Sequence, residues 1–378
     1  FMKVNKRIFI FILLSFFTIF IVYIHAYDVF YNGATSNLFG GDPVKYLNLG
    51  FEDQFQSLIY KFSNFTTDSL GTLFSLYGIL ILSFFLNNIF GEWAIYGSIF
   101  FNLIIVYFSY FILNKAYSSF LIEYKKNALV LTYIFPALIL YLVGPNKEIF
   151  SFLCSCILVR IAVIASYTNK SVSRFKYELL IYSLIFVLIT FFRTVYSLIG
   201  LFMIPIFIFR SNGFKYFLLY LSTILFYFIR PENYTGSYQL LQQESSVITL
   251  FFERYFDTPF TFFIQIIGKY IVSVFGILYP ARIIEIFDGN IYFVIRLMFC
   301  FLIVGLFLNI FKFSNFKIKK YRFSKLSHNL LYSLVIFSLS FSLSHYVSDR
   351  KIIPSYPIVF ALTASLIKDK NLEKKIDY

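Results

Sequence analysis

The sequence predicts an all-α polytopic membrane protein of about ten transmembrane helices, in one integral membrane domain over residues 1–378. Three observations carry that expectation. Hydrophobic residues make up 59% of the 378 positions and charged residues only 14%, against about 25% charged in soluble domains. The apolar residues fall into runs near the roughly 20 needed to cross a bilayer. The basic residues gather in the gaps between those runs, as short cytoplasmic loops do. Helices are favoured over a barrel because the runs lack strict alternation, and only helices or closed barrels satisfy backbone groups in lipid.

The apolar runs are 8–26, 70–90, 93–113, 127–143, 149–166, 178–192, 195–209, 215–229, 262–280, 290–311, 329–346 and 352–367. The first follows Lys3, Lys6 and Arg7. It resembles a signal peptide in its flank, but its length and poor small-residue cleavage pattern favour a retained span. If every run crosses, the loops holding Lys115, Lys125, Lys126, Lys170, Arg174 and Lys176 face outward, against the positive-inside rule. If 70–90 and 262–280 are instead re-entrant or interfacial helices, those loops turn inward, together with Arg210 and Lys215. The strongly basic 312–325 loop and the tail with Lys368, Lys370, Lys374 and Lys375 are inward in both schemes, as is the N-terminus. Ten spans are therefore expected. Two long external segments follow, about 27–92 and 230–289, which hold most of the acidic residues.

The formal net charge of +14 then reads as loop charge rather than a nucleic-acid surface. Phe (54) and Tyr (31) are abundant, in the manner of an AT-rich genome, and carry no functional argument. Cys154, Cys156 and Cys300 lie in apolar runs and read as small hydrophobes. Arg160 lies near the inner end of its run, where snorkelling suffices. Arg296 is nearer the outer end and ambiguous. His328 adjoins the basic loop and reads as solvated. No GxSxG, HExxH or P-loop pattern is present, so a nucleotide-driven pump is disfavoured.

The chemistry-bearing residues collect on the external side. Gly40-Gly41-Asp42-Pro43 makes a tight turn into a helix start, where Asp42 is either an N-cap or a carboxylate serving as general base. Gly144-Pro145-Asn146-Lys147-Glu148 is a short turn between apolar runs. Its Lys147 and Glu148 are either an interfacial ion pair or an ammonium for phosphate beside a carboxylate for sugar. Arg193 stands where one run turns into the next, a costly place for charge unless it snorkels or functions. Arg230-Pro231-Glu232 leads into a polar loop with Glu244, Glu253, Arg254 and Asp257. His345 to Lys351 precedes Pro354 and Pro357, and Asp349 and Arg350 either pair with each other or serve a ligand. Several cations with a carboxylate at one membrane face suit an anionic lipid headgroup, since Arg and Lys bind phosphate through charge-assisted hydrogen bonds.

In that order these segments resemble the GT-C superfamily of polytopic glycosyltransferases, which use polyprenyl-linked donors. GGDPVKYLNLG matches the early external Asp, Pro136 and GPNKE the Pro-bearing helix and Lys/Glu turn, and FFRTVY the Arg at a helix's outer end. SDRKIIPSYPIVFALTASLI matches the late Arg before a Pro-spaced helix. The resemblance spans nearly the whole chain through short, degenerate motifs. It implies a GT-C-like fold, a polyprenyl (undecaprenyl) phosphate or pyrophosphate donor, and catalysis at the periplasmic face of a bacterial inner membrane. By the family pattern Asp42 is the base or acceptor-binding carboxylate. Arg193 and Arg350 are then the phosphate contacts, with Lys147, and from its place on the external side Arg230 is expected to join them. Glu148, Glu232, Glu244, Arg254 and His345 are expected to meet the glycan. The second acidic residue common in the family's first-loop signature is replaced by Pro43, so a divalent-metal requirement stays open and no other cofactor is expected. The compact size also resembles Wzy-type polymerases of O-antigen or capsule, with a lipid-linked donor and acceptor and a chain-length regulator as partners. A single-sugar transferase and a lipid-linked oligosaccharide flippase are the alternatives.

Overall fold

The computed structural model describes residues 67–91, 94–121, 125–133, 147–167, 172–189, 192, 199–209, 211–229, 251–252, 254–275, 301–306, 308–309, 324–339 and 352–376. Among them every regular element is helical. In chain order these are α1 (Thr67–Phe90), α2 (Ala94–Phe120), α3 (Lys125–Tyr133), α4 (Glu148–Tyr167) and α5 (Val172–Leu188). A π-turn (Ile199–Met203) and a 3-10 turn (Ile204–Ile208) follow. Then come α6 (Asn212–Ile229), α7 (Phe262–Phe275), α8 (Lys325–Ser338), a 3-10 turn (Ile353–Ser355) and α9 (Tyr356–Ile376). The first span, 8–26, lies outside the described residues, as do most of the two long external segments. Two helices, Gly97–Phe120 within α2 and α4, are long and apolar enough to cross a membrane.

α4 is the centre of the fold. Every residue from Glu148 to Ala165 is buried. A helix that is apolar all round has no face to give to water and must be enclosed. α2, α8, α9, α5 and the 353–355 turn pack around it. Its small side chains, Ser151, Cys154, Ser155, Cys156, Ala162 and Ala165, let neighbouring backbones come close. Cys154 and Cys156 are buried free thiols, as their setting in an apolar run suggests.

α1 and α2 form a hairpin joined at Gly91, whose φ of 54° falls in the left-handed region that glycine enters without steric cost. Gly97 sits under the Phe90 ring, where a Cβ would collide. α1 is continuous for 24 residues, about 36 Å. It forms one arm of that hairpin. α7, by contrast, is described over 14 residues, about 21 Å.

Polar side chains inside the fold bond across helices or back onto their own. Tyr117 and Thr132 hydroxyls lie 3.3 Å apart, and Ser109 and Tyr133 hydroxyls 3.1 Å, joining α2 to α3. Ser333 donates to the Leu158 carbonyl at 3.3 Å and Ser327 meets Ser365 at 2.8 Å, tying α8 to α4 and α9. Away from water each such group costs free energy unless paired.

The described ion pairs lie at one end. Arg160, on α4, donates at 3.2 Å to Glu178 of α5 and at 3.4 Å to the Lys115 carbonyl at the end of α2, while the Lys115 ammonium lies 3.9 Å from Glu178. Arg160 therefore does not snorkel, as its position in the sequence suggests, but is held in a buried ion pair. Its Nε is covered and has no hydrogen-bond partner. The C-terminal ends of α2, α4 and α9 and the N-terminal ends of α5, α6 and α8 share this basic end, linked by Arg160–Glu178, Asn329–Ser166, Lys215–Asn329 and Ser327–Ser365.

Breaking one partner of a buried pair is costlier than replacing both. Glu178→Gln should lower stability by about 3 kcal/mol, whereas the double variant Arg160→Met with Glu178→Met should recover most of that loss. Thermal unfolding in detergent reads the difference; equal losses would remove the ion pair as a structural tie.

Candidate functional site

The end opposite the basic one begins at the N-terminus of α4. Lys147 is half-buried and its carbonyl accepts from Ser151 at 3.4 Å, opening the helix. Glu148 occupies the first turn and is buried. A carboxylate there meets the positive end of the helix dipole, worth about 0.3–1 kcal/mol. That placement accounts for an acidic residue at this turn without a ligand. It also fixes the carboxylate's position on a rigid element.

Two other segments singled out in the sequence meet the same half of α4. The Phe150 ring, two residues after Glu148, stacks on Phe192 with centroids 3.7 Å apart and planes at 19°. Phe192 N–H donates to the Ile189 carbonyl at 2.9 Å, so the chain leaves α5 through a tight turn immediately before Arg193. On another side, Ser155 donates to the Pro354 carbonyl. Ser355 then meets the Tyr270 hydroxyl at 2.7 Å and donates to the Ile352 carbonyl at 2.6 Å. The FFRTVY and SDRKIIPSY segments are thereby both anchored on Glu148–Ser155, one through rings and one through a serine. α7 joins them through Tyr270.

The third grouping surrounds the start of α7. Thr258 and Thr261 hydroxyls lie 2.6 Å apart, and each backbone N–H of the pair donates to the other's side chain at 3.3 Å. This reciprocal arrangement is the capping-box solution for orphan N–H groups. Tyr227, three residues before Arg230, donates to the Asp257 carbonyl at 3.2 Å, and Tyr220 donates to the Phe260 carbonyl at 3.1 Å. The 254–262 segment is thus strapped to the outer part of α6. Gly268 lies under the Phe252 ring, where any larger residue would collide. Arg254 is exposed, its guanidinium 6.0 Å from the Tyr255 ring centroid. It makes no ion pair among the described residues, so a cation–π contact is its one partner.

Of the residues expected at the site, the structure therefore describes Lys147, Glu148 and Arg254. Asp42, Arg193, Arg230, Glu232, Glu244, His345 and Arg350 lie outside the described residues. Lys147 and Glu148 share the α4 N-terminus. Arg254 stands apart, on the α6–α7 strap. The sequence reading did not anticipate Phe150, Phe192, Ser155, Tyr270 or Ser355, which hold the segments together. The available signal was a polar or aromatic residue inside an apolar run, at a position facing a second run. Among the described residues no three His, Cys, Asp or Glu side chains gather as metal ligands would.

No protein-family model matches the chain, and no curated protein or solved structure is significantly similar to it.

The shared ends predict sided labelling. With Cys154 and Cys156 buried, cysteines placed at Lys147 and Arg254 should react with an impermeant maleimide from one side of a sealed membrane. Cysteines at Lys126 and Lys325 should react only from the other. Labelling of Lys147→Cys and Lys325→Cys from the same side would contradict the two-ended arrangement.

Proposed function

We propose that this chain is a membrane glycosyltransferase that acts on polyprenyl-linked saccharides, and that it joins lipid-linked repeat units of an O-antigen or capsular polysaccharide. The single observation that carries the reading is the anchoring of two cation-bearing segments on the first two turns of α4. The residue before Arg193 stacks on Phe150, and the turn that follows Arg350 is tied to Ser155. Lys147 and Glu148 stand at the head of those same turns. Supporting it, the side chains away from α4 are apolar and large: Ile89, Phe228 and Phe260 are 69%, 70% and 70% exposed. Surfaces of that kind need a partner other than water, and a bilayer supplies one.

In this reading the donor's phosphate docks against Arg193 and Arg350, with Lys147 and Arg230 beside them. Asp42 accepts the proton of the attacking acceptor hydroxyl. The hydroxyl oxygen forms its bond to the anomeric carbon as the bond from that carbon to the phosphate oxygen breaks, and the electron pair leaves on the lipid phosphate. One displacement inverts the anomeric centre. Cations fixed at the leaving group act where negative charge develops, which is usually the largest electrostatic contribution to catalysis. Glu148, Glu232, Glu244, Arg254 and His345 hold the glycan. The membrane is a bacterial inner membrane, with the Lys147 end periplasmic and both termini cytoplasmic. The protein needs no organic cofactor, and a chain-length regulator is a partner of the polymerase.

The test is an assay of the purified chain with lipid-linked saccharides from its host, read on a gel. A ladder from one lipid-linked repeat establishes a polymerase, and a single-step shift a one-sugar transferase. Asp42→Asn and Arg193→Ala should each reduce product at least ~100-fold while leaving the folded yield unchanged. Wild-type rates in either variant would remove that residue from the mechanism. Absence of product from any native lipid pool, with folded protein, would favour a flippase.

A further inference from the structure

At the basic end, α6 and α8 bury a lysine that meets no carboxylate among the described residues. Lys215 is 2% exposed. Its ammonium donates at 2.6 Å to Asn329 Oδ1, a neutral acceptor. The Asn329 amide donates in turn at 2.8 Å to Ser166, and Ser166 donates at 2.6 Å to the Ala162 carbonyl. This relay ends in the last turn of α4, whose dipole supplies about half a negative charge. The Phe207 ring lies 5.8 Å from the ammonium and adds a weaker attraction. Against these stands Lys325, exposed at the first turn of α8, whose like charge acts on Lys215. Among the described residues the ion pairs at this end are both made by Glu178, with Arg160 and Lys115, so neither Lys215 nor Lys325 is paired with a described carboxylate.

An ammonium has three donors, and among the described residues one of those on Lys215 is used. Lys325 stands one turn before Asn329 on α8, whose N-terminal turn Ser324 caps by accepting from Ser327 N–H at 3.2 Å. Basic pockets between helices on the inner side of a membrane suit phosphate headgroups. The run from Lys312 to Lys325 adds further positive charge in sequence, with six Lys or Arg and no acidic residue.

We propose that Lys215 and Lys325 bind a phosphate group at the basic end of the protein, between the first turns of α6 and α8. The phosphate belongs either to an anionic phospholipid of the inner leaflet or to a soluble phosphate. This site is separate from the Lys147 end and does not depend on the glycosyltransferase reading. Occupying it joins α6 to α8 and, through Asn329 and Ser166, to the C-terminus of α4.

Thermal unfolding of the full chain in detergent, at constant ionic strength because exposed charges are screened by salt, tests the site. Phosphatidylglycerol in the micelles should raise Tm by about 4 °C if the lipid is the source, and phosphatidylcholine should not. Inorganic phosphate with phosphatidylcholine should give that rise if the source is soluble. Lys215→Met and Lys325→Gln should each lose most of the shift, and Lys126→Gln, a change at the same end, should keep it. Lys325→Gln alters an exposed side chain, so it serves if Lys215→Met does not fold. An undiminished shift in Lys325→Gln, or no shift in the wild type with either probe, overturns the proposal.

Discussion

A helix without a polar stripe has to be surrounded, and the structure is organised by that demand on α4. From Glu148 to Ala165 no side chain of this helix reaches the surface. Burial of a Val, Leu, Ile or Phe is worth about 1.5–3 kcal/mol relative to water. Within lipid the same transfer is worth little, so close packing and interhelical hydrogen bonds take over. Hence the arrangement of small residues along α4, and hence the serines that reach it from α8 and the carbonyl of Pro354 that reaches Ser155.

The second organising term is charge. α4 carries Glu148 at its positive dipole end and Arg160 three turns on, toward its negative end, so each charge sits where the backbone field favours it. Arg160 and Glu178 bind α4 to α5, and Lys115 joins them from α2. On the other side of the same helix the Lys215–Asn329–Ser166 chain ties in α6 and α8. The basic end is thus a pair of polar ties around one helix terminus. The opposite end is held chiefly by rings, threonines and tyrosines: Phe150 on Phe192, Thr258 with Thr261, Tyr227 on Asp257, Tyr270 with Ser355.

Aromatic residues, which composition alone made uninformative, divide into two populations in three dimensions. Tyr117, Tyr332, Phe152 and Phe186 are fully buried and pack edge to face, as in Phe207–Tyr332 and Tyr133–Phe152. Phe228 and Phe260 stand outward. The tyrosine hydroxyls reach carbonyls or serines and so remain satisfied where they are covered.

The sequence by itself determined that the described elements are helical and that 149–166 lies in one apolar helix. These follow from composition, run length and the spacing of charges, which are local properties. It also drew attention to the Lys147–Glu148 turn, which does open a helix. It did not determine that α1 folds back on α2, because that pairing depends on the partner helix and on the turn at Gly91. Nor did it reveal that Arg160 is ion-paired, that Lys215 is buried, or that Phe192 and Pro354 lean on the same two turns of α4. Glu178 is 18 residues from Arg160, Asn329 is 114 from Lys215, and Pro354 is 199 from Ser155. A contact across such separations is set by which helix faces meet, and an apolar helix with no polar stripe gives no local signal of its partners. Only the packing around α4 decided them.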